Sequence, residues 1–440
     1  MLLAIEAFSI LLPLALILVL SKLLSIAAKK IGLPQVIGLL MTGVILGLLT
    51  LIPLPESWAE YKIFNDDAMA GIKFVAEIGV ILIMFSAGIE TDLKQIKKTG
   101  VAAIVITVFG VVVPLLLGFC ASLILPDAET PVKTIFRNLF YGVILTATSV
   151  SVTIAALKEL GKLNTKIGTA IVSAAILDDI IGVIILSIII SLDKAMTTGT
   201  GQVGFEIGMV VLKTVLFFVF AIGLGILFRI IFKKLAEKYD HHRRIPIFAI
   251  AIAFFYSYAA EKWFGIADIT GAFFAGLVLS GLKDANYIER RTDITSYLLF
   301  TPVFFAKVGL TSMSSFTTGD GMTLTFFIFG IVFIFAGIIG KMFGCGLGAK
   351  LCKYNMKDSF RCGIGMMVRA EVCLISAQKG IDANIISSSI QPFILVLILL
   401  TSFVTPILLK LSYKNDKSET NLFTQGEEIT SVNQGPSLDQ

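Results

Sequence analysis

The stretch KIGTAIVSAAILDDIIGVIILSIIISL, residues 166–192, decides the fold class of this chain. An α-helix needs about 20 mainly apolar residues to cross the hydrocarbon core of a bilayer, and this stretch supplies them. Two adjacent carboxylates, Asp178 and Asp179, lie near its middle, too far from either end to reach the membrane surface. A charge near the bilayer centre costs at least about 2.5–3.5 kcal/mol on insertion scales. These two residues are therefore the first candidates for function.

The composition of the whole chain is that of a membrane protein. Of its 440 residues, 56% are hydrophobic and only 15% are charged, and the mean hydropathy is +0.91. Soluble domains carry about 25% charged residues. The composition excludes a soluble enzyme, a protein that binds nucleic acid and a disordered scaffold. The net charge of +5 does not by itself indicate an acidic partner, because the distribution of Lys and Arg matters more in a membrane protein.

Apolar runs of spanning length recur along the chain and predict an all-α polytopic membrane protein with about thirteen transmembrane helices. The predicted spans lie near 5–28, 33–52, 71–90, 100–125, 134–157, 166–191, 205–232, 244–262, 266–282, 296–312, 322–349, 359–379 and 385–411. Six spans, one linker and six more would place the second half upside down relative to the first. Such inverted repeats are common in transporters, with the substrate site at the midplane between discontinuous helices.

The loops predict the orientation of the chain. If the loop with Lys29 and Lys30 faces the cytoplasm, the loops on that side hold about two thirds of the 36 Lys and Arg residues, which is a strong positive-inside asymmetry. It predicts a multi-pass protein of the cell membrane with its N-terminus outside and its C-terminus in the cytoplasm. The tail at 412–440 is polar, too short for a domain and predicted to be disordered.

Adjacency gives Asp178 and Asp179 different surroundings, because neighbouring residues on a helix point about 100° apart. One carboxylate can face a cavity while the other turns to a neighbouring helix and a basic partner. Burial favours the protonated form of a carboxylate, and a nearby cation favours the charged form. A carboxylate balanced between these effects holds either a proton or a small cation, which is the chemistry of cation/proton exchange.

The span at 134–157 carries groups that a lipid-facing helix does not need. Hydroxyl side chains cluster in it at membrane depth, at Thr146, Thr148, Ser149, Ser151 and Thr153. Hydroxyls satisfy backbone groups where a helix unwinds, and the carbonyl oxygens exposed there suit a hard cation. The alternative is that these small residues only permit close helix packing.

The span at 359–379 has matching features. Gly363 and Gly365 weaken the helix, while Arg369 and Glu371 bring charge into an apolar stretch. We expect Arg369 to neutralise an unwound region. A structural ion network of Arg369 with Glu371 is one alternative, and direct ion binding by Glu371 is another.

A lysine lies at membrane depth in the span at 322–349. Lys341 follows Gly340 and precedes Gly344 in a stretch that contains further glycines. Glycines allow the backbones of two helices to approach closely. Such a crossing can bring Lys341 against a carboxylate.

Taken together, these residues resemble the bacterial cation:proton antiporters that share the sodium/proton antiporter fold. The matching segments are LIMFSAGIETDL at 82–93, TATSVSVT at 146–153, ILDDIIG at 176–182, ITGAFFAGL at 269–277, TPVFFAKVGL at 301–310, GKMFG at 340–344 and VRAEVCLI at 368–375. Their order and spacing extend over nearly the whole apolar part of the chain, and the set is more specific than any one segment.

The resemblance implies roles for particular residues. Asp179 matches the carboxylate that binds Na⁺ and carries protons, and Thr148 and Ser149 match ligand positions of the unwound helix. Asp178 matches a position that pairs with Lys341 in electrogenic sodium exchangers of the Asp-Asp type. No cofactor and no enzymatic activity are implied.

Two positions depart from the family pattern. Lys307 stands where a small residue is common, and its charge could alter selectivity or form a local pair. Ala370 stands between Arg369 and Glu371 where glycine is usual. Potassium-efflux relatives usually carry Gln-Asp and a fused cytosolic domain, so Asp178 and the short tail argue against that branch.

The resemblance also implies a homodimer with an elevator-like movement. Within a transmembrane domain at 1–411, the mobile core helices are expected at about 71–191 and 322–411, the dimerisation helices at about 1–52 and 244–312, and a linker helix at about 205–232. The expected activity is exchange of a monovalent cation, Na⁺ before Li⁺ or K⁺, for H⁺. A K⁺/H⁺ antiporter and a sodium-coupled symporter of an organic anion are the alternatives on the same fold; a membrane sensor or an ion channel is a further rival.

Overall fold

The computed structural model describes most of the chain. The described residues are 7–30, 35–50, 63–91, 99–127, 130–163, 165–198, 203–238, 244–282, 284–318 and 323–414. In these ranges the secondary structure is helical and contains no β-strand, so the predicted all-α class is confirmed. Most of the predicted tail, from residue 415 onwards, lies outside the described residues.

The described helices follow the predicted apolar runs closely. The first half forms α1 (Ala7–Lys30), α2 (Gln35–Thr50), α3 (Asp66–Glu90), α4 (Val101–Ser122), α5 (Pro131–Ile144), α6 (Val150–Glu159) and α7 (Lys166–Thr198). The long α8 (Val203–Lys238) leads to the second half. That half forms α9 (Arg244–Lys262), α10 (Asp268–Leu279), α11 (Ala285–Thr295), α12 (Thr301–Thr318), α13 (Leu324–Leu351), α14 (Met356–Met366), α15 (Glu371–Asp382) and α16 (Gln391–Tyr413).

Nine helices within the described ranges are long and apolar enough to cross a membrane, while α2 and α10 are shorter apolar helices. The predicted span at 296–312 is part of a longer helix, because α11 continues through a π-helical turn at Ser296–Phe300 into α12. Hydropathy misses this extension since α11 is polar on one side. The total of thirteen crossings stays a prediction.

Two of the predicted spans are broken near their middle, and the two breaks touch. The first break separates α5 from α6, and the second separates α14 from α15. The backbone N–H of Ser149 donates to the carbonyl oxygen of Val368 at 2.9 Å, and Thr153 Oγ1 donates to the carbonyl oxygen of Gly365 at 2.6 Å. The crossed discontinuous helices that the sequence predicts are therefore present.

Helix pairing in the first half is repeated in the second. α1 packs on α2 as α9 packs on α10, and α4 packs on α5 as α13 packs on α14. Across the halves, α2 contacts α12 in the same way as α10 contacts α3. The shared partners of this pattern are α4 and α13, which contact each other most extensively. Two six-helix repeats related by a pseudo-two-fold axis produce such pairing.

The close crossing of α4 and α13 depends on glycine. A Cβ atom on Gly344 would lie 2.5 Å from the carbonyl oxygen of Phe109, which is part of the backbone of α4. Gly110 on α4 similarly faces the side chains of Cys345 and Lys341. The absence of side chains at these positions lets the two helices approach and brings Lys341 to the centre of the molecule.

The packing of α3 bears on the predicted division of the chain into a core and a dimerisation unit. Its main partners are α10 and α12, with further contacts to α1 and α11. It therefore packs with helices assigned to the dimerisation unit, although its predicted span at 71–90 was placed at the start of the core. The division of the chain into these two units stays a prediction.

Candidate cation site

Asp178 is fully buried and its charge is compensated. Its Oδ1 atom lies 2.6 Å from Lys341 Nζ, and its Oδ2 atom accepts a 2.7 Å hydrogen bond from Thr148 Oγ1. Lys341 Nζ also donates to the carbonyl oxygen of Thr146 at 2.6 Å. A buried ion pair survives only with good geometry and further hydrogen bonds, and this one has both. Asp178 and Lys341 form a neutral unit at the centre of the molecule.

Asp179 lies in different surroundings from its neighbour. Its side chain is partly accessible, yet its Oδ1 atom is buried and has no hydrogen-bond partner among the described residues. A buried polar oxygen without a partner costs about 1–3 kcal/mol, more if it is charged. Of the two adjacent carboxylates, Asp179 thus retains the capacity to accept a proton or to bind a cation.

The break between α5 and α6 is stabilised by Arg369 from the opposite break. The buried guanidinium donates to the carbonyl oxygens of Ala147 and Leu145, the latter at 2.6 Å, and to that of Gly337 on α13 at 3.2 Å. The carbonyls of Leu145 and Ala147 lie in the break, where an unwound helix leaves them without intrahelical partners. The expectation that Arg369 neutralises an unwound region fits this geometry. Arg369 forms no ion pair with Glu371.

The described hydroxyl side chains of the first break mostly form hydrogen bonds to other groups of the protein. Thr148 is engaged by Asp178 and also lies 3.4 Å from the carbonyl oxygen of Met366. Thr146 and Thr153 bind backbone carbonyls at Val143 and Gly365. Ser149 is buried at the crossing, where its backbone meets the second break. The structure thus brings Thr148 to Asp178 and holds that carboxylate in place, while the side chain of Ser151 lies outside the described residues.

Glu371, at the start of α15, lines a cavity of about 590 Å³. The acidic residues Glu90 and Asp293 line the same cavity, together with Ser86 and Thr301. Glu371 comes two residues after Arg369 of the second break, which places this cavity next to the crossing of the broken helices. The cavity therefore lies beside the candidate site and is lined by acidic residues at the end of α3.

Lys307 is not part of the candidate site. Its Nζ atom lies 4.0 Å from Asp382 Oδ1, near Glu77 on α3. Close by, Lys379 Nζ lies 2.6 Å from Asp268 Oδ1 on α10. Both ion pairs join the end of α15 to helices predicted to belong to the dimerisation unit, namely α12 and α10. Lys307 thus has a local partner in Asp382, and an effect of its charge on selectivity stays a prediction.

The sequence did not anticipate two groups of charges in the structure. The first is the acidic lining at Glu90 and Asp293, and the second is the ion pair of Asp268 with Lys379. The signal for the second was an aspartate at the edge of an apolar stretch, which predicts a basic partner without identifying it. No comparable signal existed for the acidic lining, because its members lie in different parts of the chain near polar loops.

The fold and the candidate site define a class of protein: a polytopic helical transporter with two crossed, broken helices and a pair of adjacent carboxylates beside the crossing. Comparison with known proteins gives the family. The family model described as "Sodium/hydrogen exchanger, transmembrane" matches residues 15–412, and this chain belongs to that family.

Individual relatives agree with this assignment. The chain is 30% identical to the Na⁺/H⁺-K⁺ antiporter GerN of Bacillus cereus, over 92% of this chain and 97% of GerN. It is 31% identical to a Na⁺/H⁺ antiporter of Enterococcus hirae, over 90% of this chain and 96% of that protein. Its fold resembles the sodium proton antiporter MjNhaP1 of Methanocaldococcus jannaschii at pH 8, with a TM-score of 0.65, 20% identity and coverage of 91% of this chain and 95% of the other.

Proposed function

We propose that this chain is a secondary active antiporter that exchanges Na⁺ for H⁺ across the cell membrane. The observation that carries the proposal is the contrast between the two adjacent aspartates. Asp178 is neutralised by Lys341, whereas Asp179 keeps a buried oxygen without a partner among the described residues. The relatives named as Na⁺/H⁺ antiporters support the choice of ions.

In the proposed mechanism, one site serves both ions in turn. Asp179 binds a proton on one side of the membrane and releases it on the other, where Na⁺ takes its place with oxygen ligands from the breaks and from water. Since the proton and Na⁺ compete for the same carboxylate, each passage carries one or the other. Thr148 and Ser149 are the further protein ligands that we propose, because both lie at the first break and Thr148 Oγ1 contacts the neighbouring Asp178 carboxylate.

We propose that the helices around the breaks move as a core relative to a static scaffold. The core contains α4 to α7 and α13 to α16, and the scaffold contains α1 to α3 and α9 to α12, with α8 as the linker. The scaffold forms the interface of a homodimer. The N-terminus lies outside the cell and the C-terminus in the cytoplasm, so that the acidic cavity opens to the cytoplasm and the protein contributes to pH and sodium homeostasis.

The Asp178–Lys341 pair makes the exchange electrogenic in this proposal. If Na⁺ binding displaces one proton from Asp179 and one from Lys341 on one side, and both groups bind protons again when Na⁺ leaves on the other, two protons move for each Na⁺. K⁺ is the second candidate ion, because the relative GerN is named as an antiporter of both Na⁺ and K⁺.

Exchange in everted membrane vesicles tests the proposal. A dye that reports the pH gradient should show Na⁺-dependent loss of the gradient in the wild type and none in Asp179→Asn, which removes the titrating carboxylate but keeps its shape. Asp193→Asn, near the end of the same helix, should exchange normally. Normal exchange by Asp179→Asn would contradict the assignment of the site.

A further inference from the structure

A groove of about 350 Å³ lies between the end of α13 and the start of α14. Its walls are exposed apolar side chains, Phe343 and Leu347 on the first helix and Met356 and Phe360 on the second. Cavities that hold small molecules usually have volumes of about 300–1,000 Å³. The groove is therefore large enough for a ligand, and none of its walls belongs to the candidate cation site.

The groove runs along the axis of α13. Met342, Gly346 and Lys350 line it at intervals of four residues, so they share one face of the helix and extend over about 12 Å. A Cβ atom on Gly346 would lie 3.3 Å from the carbonyl oxygen of Ser359, so the missing side chain lets α14 come close at this point. One leaflet of the hydrocarbon core is about 15 Å thick. The groove therefore has the length of most of one leaflet.

The outer end of the groove is basic. Lys350 lines it in the last turn of α13, and Lys353 and Lys357 follow in the connection and at the start of α14. All three side chains are exposed, and none forms an ion pair with a residue that the structure describes. The carboxylate of α14, Asp358, lies 2.9 Å from Arg361 Nη1 instead. The three lysines therefore keep their positive charge available to a ligand.

An apolar groove with a basic end is complementary to an amphiphile with an anionic head. Where α13 crosses a bilayer, the groove lies among lipid chains, and basic pockets between transmembrane helices at the membrane surface suit anionic headgroups. A soluble anion would leave the apolar walls uncovered. A second copy of the chain fits less well, because α13 and α14 lie outside the helices predicted to form the dimer interface.

We propose that this groove binds one anionic phospholipid. The lipid phosphate contacts Lys350 and is attracted by Lys353 and Lys357, and one acyl chain lies along the groove between Phe343 and Phe360. The lipid thus contacts both α13, which carries Lys341, and α14, which leads into the second break. Its binding does not depend on the proposed ion exchange.

Native mass spectrometry of the purified full-length protein in non-ionic detergent tests this site. Phosphatidylglycerol, which is anionic, and phosphatidylcholine, which is zwitterionic, are added separately with identical acyl chains. We expect the first phosphatidylglycerol to bind more tightly than phosphatidylcholine. The double variant Lys350→Gln/Lys357→Gln should weaken phosphatidylglycerol binding about tenfold, equivalent to about 1.4 kcal/mol, and change phosphatidylcholine binding little.

A second pair of lysines provides the charge control. Lys410→Gln/Lys414→Gln removes the same charge from exposed positions at the end of α16. This end lies at the same face of the protein, because Arg361 of α14 donates to the carbonyl oxygen of Ser412 at 2.8 Å. The control variant should bind phosphatidylglycerol as the wild type does. Equal losses in the two double variants would overturn the proposal, because they would show attraction to the whole basic surface.

A bulky residue in the groove tests the position of the acyl chain. Leu347→Trp fills the groove at an exposed position and should weaken the binding of both lipids. Val332→Trp, at an exposed position of α13 outside the groove, should leave both unchanged. Equal affinity of the wild type for the two lipids would also overturn the proposal. So would displacement of the lipid by inorganic phosphate, which would indicate a site for the headgroup alone.

Discussion

The buried lysine at the crossing sets the electrostatic balance of the site. Lys341 has two polar partners, the Asp178 carboxylate and the carbonyl oxygen of Thr146, and is fully buried. Replacing both members of a buried ion pair is often tolerated, whereas removing one leaves an uncompensated charge. Removing one partner of the pair should therefore destabilise the protein more than replacing both.

Lys341→Ala should lower the free energy of unfolding by about 3–5 kcal/mol, because Asp178 remains buried without its cation. The double variant Asp178→Asn/Lys341→Ala should recover part of this loss. Thermal unfolding in detergent measures both, with Lys213→Ala on the exposed side of α8 as the control. In proteoliposomes, Lys341→Ala should also change the charge moved per Na⁺; an unchanged reversal potential would contradict the electrogenic mechanism.

At the scale of single residues, the sequence predicted which residues are candidates for function better than it predicted which residues contact each other. Asp178 and Asp179 stand out because nothing in an apolar helix explains them, and a resemblance to known antiporters linked Asp178 to Lys341. The ion pair of Lys379 with Asp268 could not be derived in this way. Its members lie far apart in the chain, and hydropathy does not tell which face of one helix meets another.

Among the elements, the contact of α4 with α13 holds the two halves together at their centre. The helices approach so closely that Gly344 faces the backbone of α4 without room for a methyl group. Overpacking of this type costs about 1–3 kcal/mol, since one of the helices must shift.

Gly344→Ala should therefore lower the thermal unfolding temperature in detergent and reduce exchange, because the displaced α13 carries Lys341 away from Asp178. Gly223→Ala provides a matched control within α8, where a Cβ atom would meet nothing within 4 Å. Removing glycine from an exposed helix position stabilises the helix by about 1 kcal/mol. Equal effects of the two substitutions would show that the crossing is not tight.

The elements also show where sequence patterns succeed and fail. Hydropathy located the helices because a chain in lipid must satisfy its backbone polar groups internally, and a long run of apolar residues does so by forming a helix. The breaks between α5 and α6 and between α14 and α15 were anticipated from hydroxyls, glycines and charges in apolar runs. The joining of α11 to α12 was not, since a helix that leaves the apolar region loses the hydropathy signal while its hydrogen bonds continue.

At the scale of the whole molecule, the two ends of α15 lie in different surroundings. Glu371 at its beginning lines the acidic cavity, whereas Lys379 and Asp382 near its end pair with α10 and α12. These ion pairs lie at the end of α15 that is opposite the cavity. If the core moves as proposed, they must separate in each cycle and form again when the core returns.

Swapping the two charges of the Asp268–Lys379 ion pair tests whether the pair matters for exchange. Asp268→Lys alone places two ammonium groups together at the Lys379 contact and should reduce exchange several-fold. Adding Lys379→Asp restores opposite charges and should recover at least half of the lost rate in the vesicle assay. Glu261→Lys changes an exposed position near the end of α9 and should have little effect. A double variant no faster than the single one would contradict a role for this pair.

The binding of Arg369 to the carbonyl oxygens of the opposite break has a thermodynamic consequence. The guanidinium joins the two broken helices and α13, so the crossing has little freedom to change shape when the core moves. An ion site carried without deformation presents the same affinity to both compartments. Exchange measured in the forward and in the reverse direction should therefore reach half of its maximal rate at similar Na⁺ concentrations.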